Sequence, residues 1–264
     1  MDLNIRGKCA LVTGGATGIG SSIVLGLAKE GVRVAFTSRN AEVGNRLVSE
    51  LNTISDGNIF LNLDVASDAG PEEVFGILKS LNFIPEILIN NVGDTLGVTD
   101  PECSLSDWKR LYRLNLEVHI EMVNLCLPEM KKANWGRIVN ITAGAALENS
   151  GPVPYSSLKA AYTAYTRSMA RVLAPTGIVM SAVLPGVVLT EGGHWSKVLK
   201  DNPEHAHKYL AERTSLKRFG VPDEITPFVL LLCSPLASFA VGSIFPVEGG
   251  QARHYFAGNL ESYA

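Results

Sequence analysis

Tyr155 and Lys159 stand four residues apart in YSSLK, a spacing that puts both side chains on one face of a helix. A free tyrosine has a pKa of about 10 and is a poor base near neutrality. A lysine ammonium beside it favours the phenolate and lowers that value. Such a pair can give a proton to a carbonyl oxygen or take one from an alcohol. The spacing occurs often by chance, so the chemistry rests on what else the chain brings to the same place.

A second set of residues suits phosphates. The apolar run CALVT (9–13) leads straight into TGGATGIG, Thr13 to Gly20, and then into a helical pattern. Glycines there let the backbone turn tightly and approach a pyrophosphate, while the helix start offers free N–H groups and a partial positive charge. At the end of the next apolar run, VAFTSRN, the position that often carries an acidic residue is Ser38, and Arg39 follows. An acidic side chain there would accept from a ribose 2′-OH and repel a 2′-phosphate. A guanidinium suits a phosphate, with planar donors in pairs.

The elements that must position these groups alternate. Strands are predicted at 9–13, 32–38, 59–65, 86–90, 137–142, 178–185 and 243–247. Helices are predicted near 18–30, 41–54, 71–81, 105–132, 155–174 and 223–234, and 191–218 reads as a less regular helical insertion. Strands that alternate with helices of this length argue for βαβ units around a parallel sheet. Near-continuous apolar strands argue that helices cover both faces. The expectation is an α/β protein, a Rossmann-like doubly wound sheet of seven parallel strands in one domain over 1–264.

Composition agrees and excludes other classes. The chain has 264 residues, 46% hydrophobic and 19% charged, which is globular and not disordered or fibrous. Lys and Arg number 23 against 26 Asp and Glu, a net charge of −3, so no nucleic-acid partner is expected. The longest apolar run, Phe228 to Cys233, is far short of the ~20 residues a membrane span needs. Cys9, Cys103, Cys126 and Cys233 are scattered and form no C-x-x-C, as in a reducing compartment. With no signal-peptide pattern at the start, a cytoplasmic protein is expected. His205 and His207 lie close together but lack a third ligand type nearby, so no metal is expected.

The motifs then follow one another in a familiar order. Thr13, Gly14, Gly18 and Gly20 form T-G-x-x-x-G-x-G; Leu63-Asp64-Val65 ends the third strand; Asn90 to Gly93 reads NNVG; Asn115 lies in RLNLE; Tyr155 and Lys159 form Y-x-x-x-K; and Pro185, Gly186 and Thr190 form P-G-x-x-x-T. From about residue 5 to 250 the chain resembles the short-chain dehydrogenase/reductases. The resemblance implies a nicotinamide cofactor held by Gly14, Thr17, Gly18, Ile19, Gly20, Ser38, Arg39, Asp64, Val65, Asn91, Gly93, Tyr155, Lys159, Pro185, Gly186, Val188 and Thr190. The Ser38-Arg39 pattern is similar to that of NADP(H) users, with NAD(H) also possible. It further implies that Tyr155 moves the proton as hydride moves to or from the nicotinamide, that Lys159 binds the ribose, and that Asn115 holds a water joining Lys159 to solvent.

One member of that set departs from the pattern. The family has a serine that hydrogen-bonds the substrate oxygen. Counting back from Tyr155 puts Thr142 there, which keeps a hydroxyl; counting by strand from Gly136 puts Ala143 there, which has none. Thr142 is taken as the substitute, and the alternative stays open. Loss of such a donor would cost ~10²–10³ in rate.

The substrate side reads as polar. Candidate loops are Asp94 to Leu96, Leu147 to Pro154 and the insertion, which opens with EGGHW and has a net charge of +2 over 191–218. His194 is a candidate to face substrate. The leading expectation is an oxidoreductase interconverting a carbonyl and an alcohol on a small polar molecule such as a sugar derivative. The alternatives are a 3-oxoacyl thioester reductase and a catalytically weak nucleotide-binding scaffold. In related proteins the two long helices, here 105–132 and 155–174, pack against symmetry mates. Trp108, Leu111, Val118, Met122 and Leu125 lie at helical spacing on the first. A homotetramer, or failing that a homodimer, is expected, with Gln251 to Ala264 near an interface.

Overall fold

The computed structural model describes residues 1–148 and 151–251. The apolar runs form β1 (Cys9–Val12), β2 (Arg33–Ser38), β3 (Ile59–Asn62), β4 (Ile87–Asn90), β5 (Gly136–Ile141), β6 (Ile178–Pro185) and β7 (Ile244–Val247). All pair in parallel, in the order β3-β2-β1-β4-β5-β6-β7. The helices are α1 (Gly18–Lys29), α2 (Ala41–Ile54), α3 (Gly70–Ser80), α4 (Leu105–Tyr112), α5 (Val118–Ala133), α6 (Ala145–Glu148), α7 (Val153–Leu173), α8 (His194–Asp201), α9 (Pro203–Arg213) and α10 (Pro222–Cys233).

Strand alternation sorts the core into two layers. Val12, Phe36, Ile89 and Val139 stand in one row across the sheet, and Leu11, Ala35, Leu88 and Ile138 in the next. The first row packs with Ile23, Leu27 and Val229 of α1 and α10. The second packs with Leu78, Val123 and Leu173 of α3, α5 and α7. Helices cover both faces, so the sheet needs no solvent-facing side, as the unbroken apolar runs predicted. Strand order reverses between β1 and β4, and the crevice at their C-terminal ends is where this architecture holds ligands.

Two helical stretches differ from expectation. The single helix expected at 105–132 is two, joined by a π-helical turn over Arg113–Glu117. Asn115, at its centre and fully buried, donates from Nδ2 to the Leu111 carbonyl at 3.0 Å and to the Asp94 carbonyl at 2.8 Å. Turns of this kind occur often at functional sites. The insertion resolves into α8 and α9, which part at Asn202. That residue caps α9 by accepting from the His205 amide at 3.0 Å, and Pro203 supplies the first helical position. The short α6 has no counterpart in the sequence reading.

Candidate active site

The glycine turn after β1 is tied to the end of β4. Asn91 Nδ2 donates to the carbonyls of Thr13 at 3.1 Å and Gly14 at 3.0 Å, and the Asn91 amide donates to Thr13 Oγ1 at 2.9 Å. A Cβ at Gly20 would collide with the Gly14 carbonyl and the Asn91 carboxamide. The first turn of α1 therefore closes down on the loop, and its open N–H groups face a cavity of about 480 Å³. Every residue assigned above to the cofactor lines that one cavity, from Gly14 through Arg39 and Asp64 to Thr190. The cradle fits a dinucleotide, whose pyrophosphate the N-terminus of α1 would hold and whose adenosine end Arg39 would meet.

At the other end stand Tyr155 and Lys159, in the first two turns of α7. Lys159 is buried, its Nζ 5.6 Å from the centre of the Tyr155 ring and 3.5 Å from the Ile141 carbonyl. A Cβ at Gly93 would lie 2.6 Å from that Nζ, so a side chain here would push the ammonium out of its place. Burial brings the lysine down to about 8, with the Asp94 carboxylate opposing. Burial, and next Asp94, hold the Tyr155 phenol above its ordinary value. Desolvation is the larger cause and the Asp94 carboxylate adds to it, whereas the lowering expected for this tyrosine belongs to a charged lysine and a nicotinamide cation acting together. The phenol is thus protonated near neutrality, poised to give a proton to an oxygen.

The sequence pattern of the short chain dehydrogenases matches residues 8–197. The chain belongs to the short-chain dehydrogenase/reductase family. Its relatives include a 3-oxoacyl-(acyl-carrier-protein) reductase of Aquifex aeolicus, 33% identical and covering 95% of this chain and 99% of that one. A 7alpha-hydroxysteroid dehydrogenase of Escherichia coli is 32% identical over 94% of this chain and 96% of that one. Among solved structures, L-sorbose reductase of Gluconobacter frateurii complexed with NADPH and L-sorbose superposes with a TM-score of 0.87 at 28% identity, over 95% of this chain and 98% of that one. The chain is thus an NAD(P)-dependent oxidoreductase acting on alcohol and carbonyl groups.

A second cavity, of about 880 Å³, meets the first in this short-chain dehydrogenase/reductase at Gly93, Asp94, Ala143, Tyr155 and His194. His194, the candidate to face substrate, and Trp195 line both, and His205 lines the outer one. His207 does not, and among the described residues no cluster could hold a metal ion. Trp195 packs against Tyr209 at 4.6 Å and Phe219 at 5.4 Å, which fixes α8 and α9 to each other. Gln251 pins them to the sheet: its Nε2 donates to the Tyr209 hydroxyl at 3.0 Å while its Oε1 accepts from the Val187 amide at 3.1 Å.

Thr142 and Ala143 sit side by side past the end of β5. Thr142 lines the inner cavity and Ala143 lines both. Thr142 is 5% exposed; its Oγ1 is sealed from solvent and has no hydrogen-bond partner. Asn115 does not line either cavity. Its carboxamide spans the Asp94 backbone, with Oδ1 accepting from the amide at 3.2 Å and Nδ2 donating to the carbonyl at 2.8 Å. Leu114 also lines the inner cavity, and nothing in the sequence marked it. Behind Lys159, His119 stacks on Tyr162 at 4.5 Å, and the Tyr162 hydroxyl donates to Asn140 Oδ1 at 2.8 Å. This buried pair was likewise not singled out from the sequence.

Proposed function

We propose that the protein interconverts a ketone and a secondary alcohol on a small polar substrate, a sugar derivative, using NADP(H). The observation that carries this is the meeting of the two cavities at Tyr155, where a cofactor cradle and a substrate space that sets Asp94, Lys208 and Arg213 among apolar and aromatic walls share one wall. Arg39, beside neutral Ser38, supports the choice of NADP(H), since it offers the 2′-phosphate a guanidinium and no repelling acid in the adjacent position. The likeness to L-sorbose reductase supports a polyhydroxylated substrate.

When bound, the nicotinamide supplies or takes the hydride. Tyr155 donates its proton to the substrate oxygen in reduction and recovers it in oxidation. Lys159 would hold the nicotinamide ribose, and when charged it keeps the phenol's surroundings cationic. Asn115 positions the loop that carries Gly93 and Asp94. Ala143 occupies the place of the serine, because its methyl faces the substrate space while the Thr142 hydroxyl points away from solvent.

The 33% identity to a 3-oxoacyl-(acyl-carrier-protein) reductase favours a second reading, a 3-oxoacyl thioester reductase. NADPH oxidation measured with ketoses and with a 3-oxoacyl thioester separates the two. Turnover of ketoses alone supports the first reading; turnover of the thioester alone overturns it. The four cysteines are free, and among the described residues no helix is long and apolar enough to cross a membrane. Both features support a cytoplasmic setting.

A further inference from the structure

Asp94 stands where the two cavities join, beside Tyr155 and across from Ala143. It is held more firmly than a loop residue need be. Asn115 grips both its backbone groups, at 3.2 and 2.8 Å. Its Oδ1 accepts from the Leu96 amide at 2.9 Å and from Thr95 Oγ1 at 3.3 Å. These bonds fix the loop and one carboxylate oxygen. None of them occupies Oδ2. A fixed carboxylate at a reaction centre is an acceptor only, so the substrate must bring donors to it, either hydroxyls or an ammonium group.

The far wall decides between them. There α9 lines the outer cavity with Lys208 and Arg213, and His205 is beside them. Glu212 is interleaved, and Lys208 lies 3.9 Å from it, a long surface pair. Arg213 has no ion pair among the described residues. Such a rim repels an ammonium substrate and attracts an anion. A cavity of about 880 Å³ has room for a sugar-sized chain.

We infer that Asp94 reads the hydroxyls beside the reacting carbon and that the substrate is a polyol with an anionic outer end, facing Lys208 and Arg213. This rests on the reading of the same cavity as the site of a small polar substrate. Asp94 is then a specificity-determining residue. It favours substrates whose hydroxyls donate to it over bare ketones, which bring it no donor.

The test is calorimetric binding to the full chain saturated with NADP⁺, using three probes. D-gluconate carries hydroxyls and a carboxylate, sorbitol the hydroxyls alone and hexanoate the carboxylate alone. D-gluconate should bind at least about tenfold more tightly than either, the worth of a charge-assisted hydrogen bond. Asp94→Ala should bring D-gluconate down to the level of hexanoate. Asp94→Asn keeps the oxygen that caps the loop, so it should lose about tenfold with an unchanged melting temperature. Lys208→Ala with Arg213→Ala should bring D-gluconate down to the level of sorbitol. Equal binding of D-gluconate and hexanoate by the native protein overturns the inference, as does undetectable D-gluconate binding or an Asp94→Asn protein that binds as the native one does. NADPH oxidation with unhydroxylated ketones in any of those cases would leave the oxidoreductase reading standing. D-gluconate binding with the expected Asp94 dependence, but no turnover of any ketose, would overturn that reading and leave the inference standing.

Discussion

The Arg39 guanidinium faces the Asp64 carboxylate across the outer end of the cofactor cavity, 3.7 Å from Nη1 to Oδ2. Both side chains are well exposed, 78% and 46%, so the pair adds little to stability and is readily exchanged for a better anion. A 2′-phosphate is such an anion, since it offers Arg39 paired acceptors. NADPH should therefore bind at least about tenfold more tightly than NADH. Arg39→Asp replaces attraction by repulsion and should reverse the order. Titration of both cofactors by fluorescence checks this. Equal affinity of the native protein for the two would remove the argument.

Past β5 the side chains argue for a second pair of variants. Thr142 Oγ1 is buried without a partner, so the hydroxyl contributes nothing that removal would forfeit. Thr142→Val, which keeps the shape, should leave turnover within about threefold and should not lower the melting temperature. Ala143→Ser adds a donor beside Tyr155 in the substrate space. It should raise kcat, by up to the ~10²–10³ that one such donor is worth. If Thr142 is the serine substitute after all, the order inverts: Thr142→Val cripples the enzyme and Ala143→Ser does little.

Much of this was legible from residue order, and the reasons differ by element. The strands were legible because a sheet covered on both faces needs unbroken apolar runs, and VRVAF and IVMSAV are such runs. The cofactor cradle was legible because its glycines and the P-G-x-x-x-T segment are local in sequence. The break between α4 and α5 was not. RLYRLNLEVHI has ordinary helical spacing, and the π turn arises because Asn115 reaches Asp94, a residue brought close only by the sheet. The Thr142 and Ala143 ambiguity has the same root. Two counts from two ends disagree by one residue, and only side-chain direction at the end of β5 distinguishes them. The clasp of Tyr209 by Gln251 joins residues far apart in the chain, and no periodicity foretells it.

Lys159 makes stability depend on pH in a definite direction. Its folded pKa, about 8, lies below the ordinary 10.5, so between those values the unfolded chain binds the extra proton. Stability from this group is therefore complete above about pH 10.5 and is lost as pH falls to about 8. Lys159→Met removes the effect while keeping the volume. The unfolding free energy of the native protein minus that of Lys159→Met should rise across this window, by at most about 3 kcal/mol. Tyr155, Cys126 and Cys233, all pushed up by burial, oppose the rise in both proteins and cancel in the difference. Urea titrations at several pH values measure it, and a flat difference would contradict the burial of an uncompensated ammonium.

His119 works at the acid end. Burial, and next the charge of Lys159, hold its imidazole well below the ordinary 6.5. Below that value the unfolded chain takes up a proton that the folded one refuses, so stability falls as the solution is acidified. His119→Phe keeps the flat stack on Tyr162 and removes a buried imidazole whose polar contact is with the Val92 backbone. It should match or exceed the native melting temperature near neutrality and lose less of it at pH values near 5. His119→Ala leaves a cavity behind Lys159 and should cost about 3 kcal/mol. An equal acid sensitivity in His119→Phe would place its origin elsewhere.

Assembly can be tested by which apolar surface is charged. We propose a homotetramer or homodimer through two of the places where large apolar side chains are exposed, the long helices and α10. On the long helices, Leu111, Val118 and Met122 are in the protein's own core, whereas Leu105 and Val172 are 80% and 67% exposed. On α10 and the turn after it, Phe228 and Leu231 are partly exposed and Phe239 is wholly so. The tail expected near an interface lies, beyond Gln251, outside the described residues. Large apolar side chains grouped on a surface mark contacts with another molecule. A two-fold interface uses one patch of each chain, so two such patches generate a tetramer and one generates a dimer. The native protein should sediment as a tetramer at micromolar concentration. Phe228→Asp with Phe239→Asp should yield a dimer held by the long helices, and Leu105→Glu with Val172→Glu a dimer held by α10. Combining all four should yield a monomer that keeps its helical circular dichroism. If only one pair of substitutions changes the sedimentation, the assembly is a dimer through that patch. A native monomer would remove both interfaces.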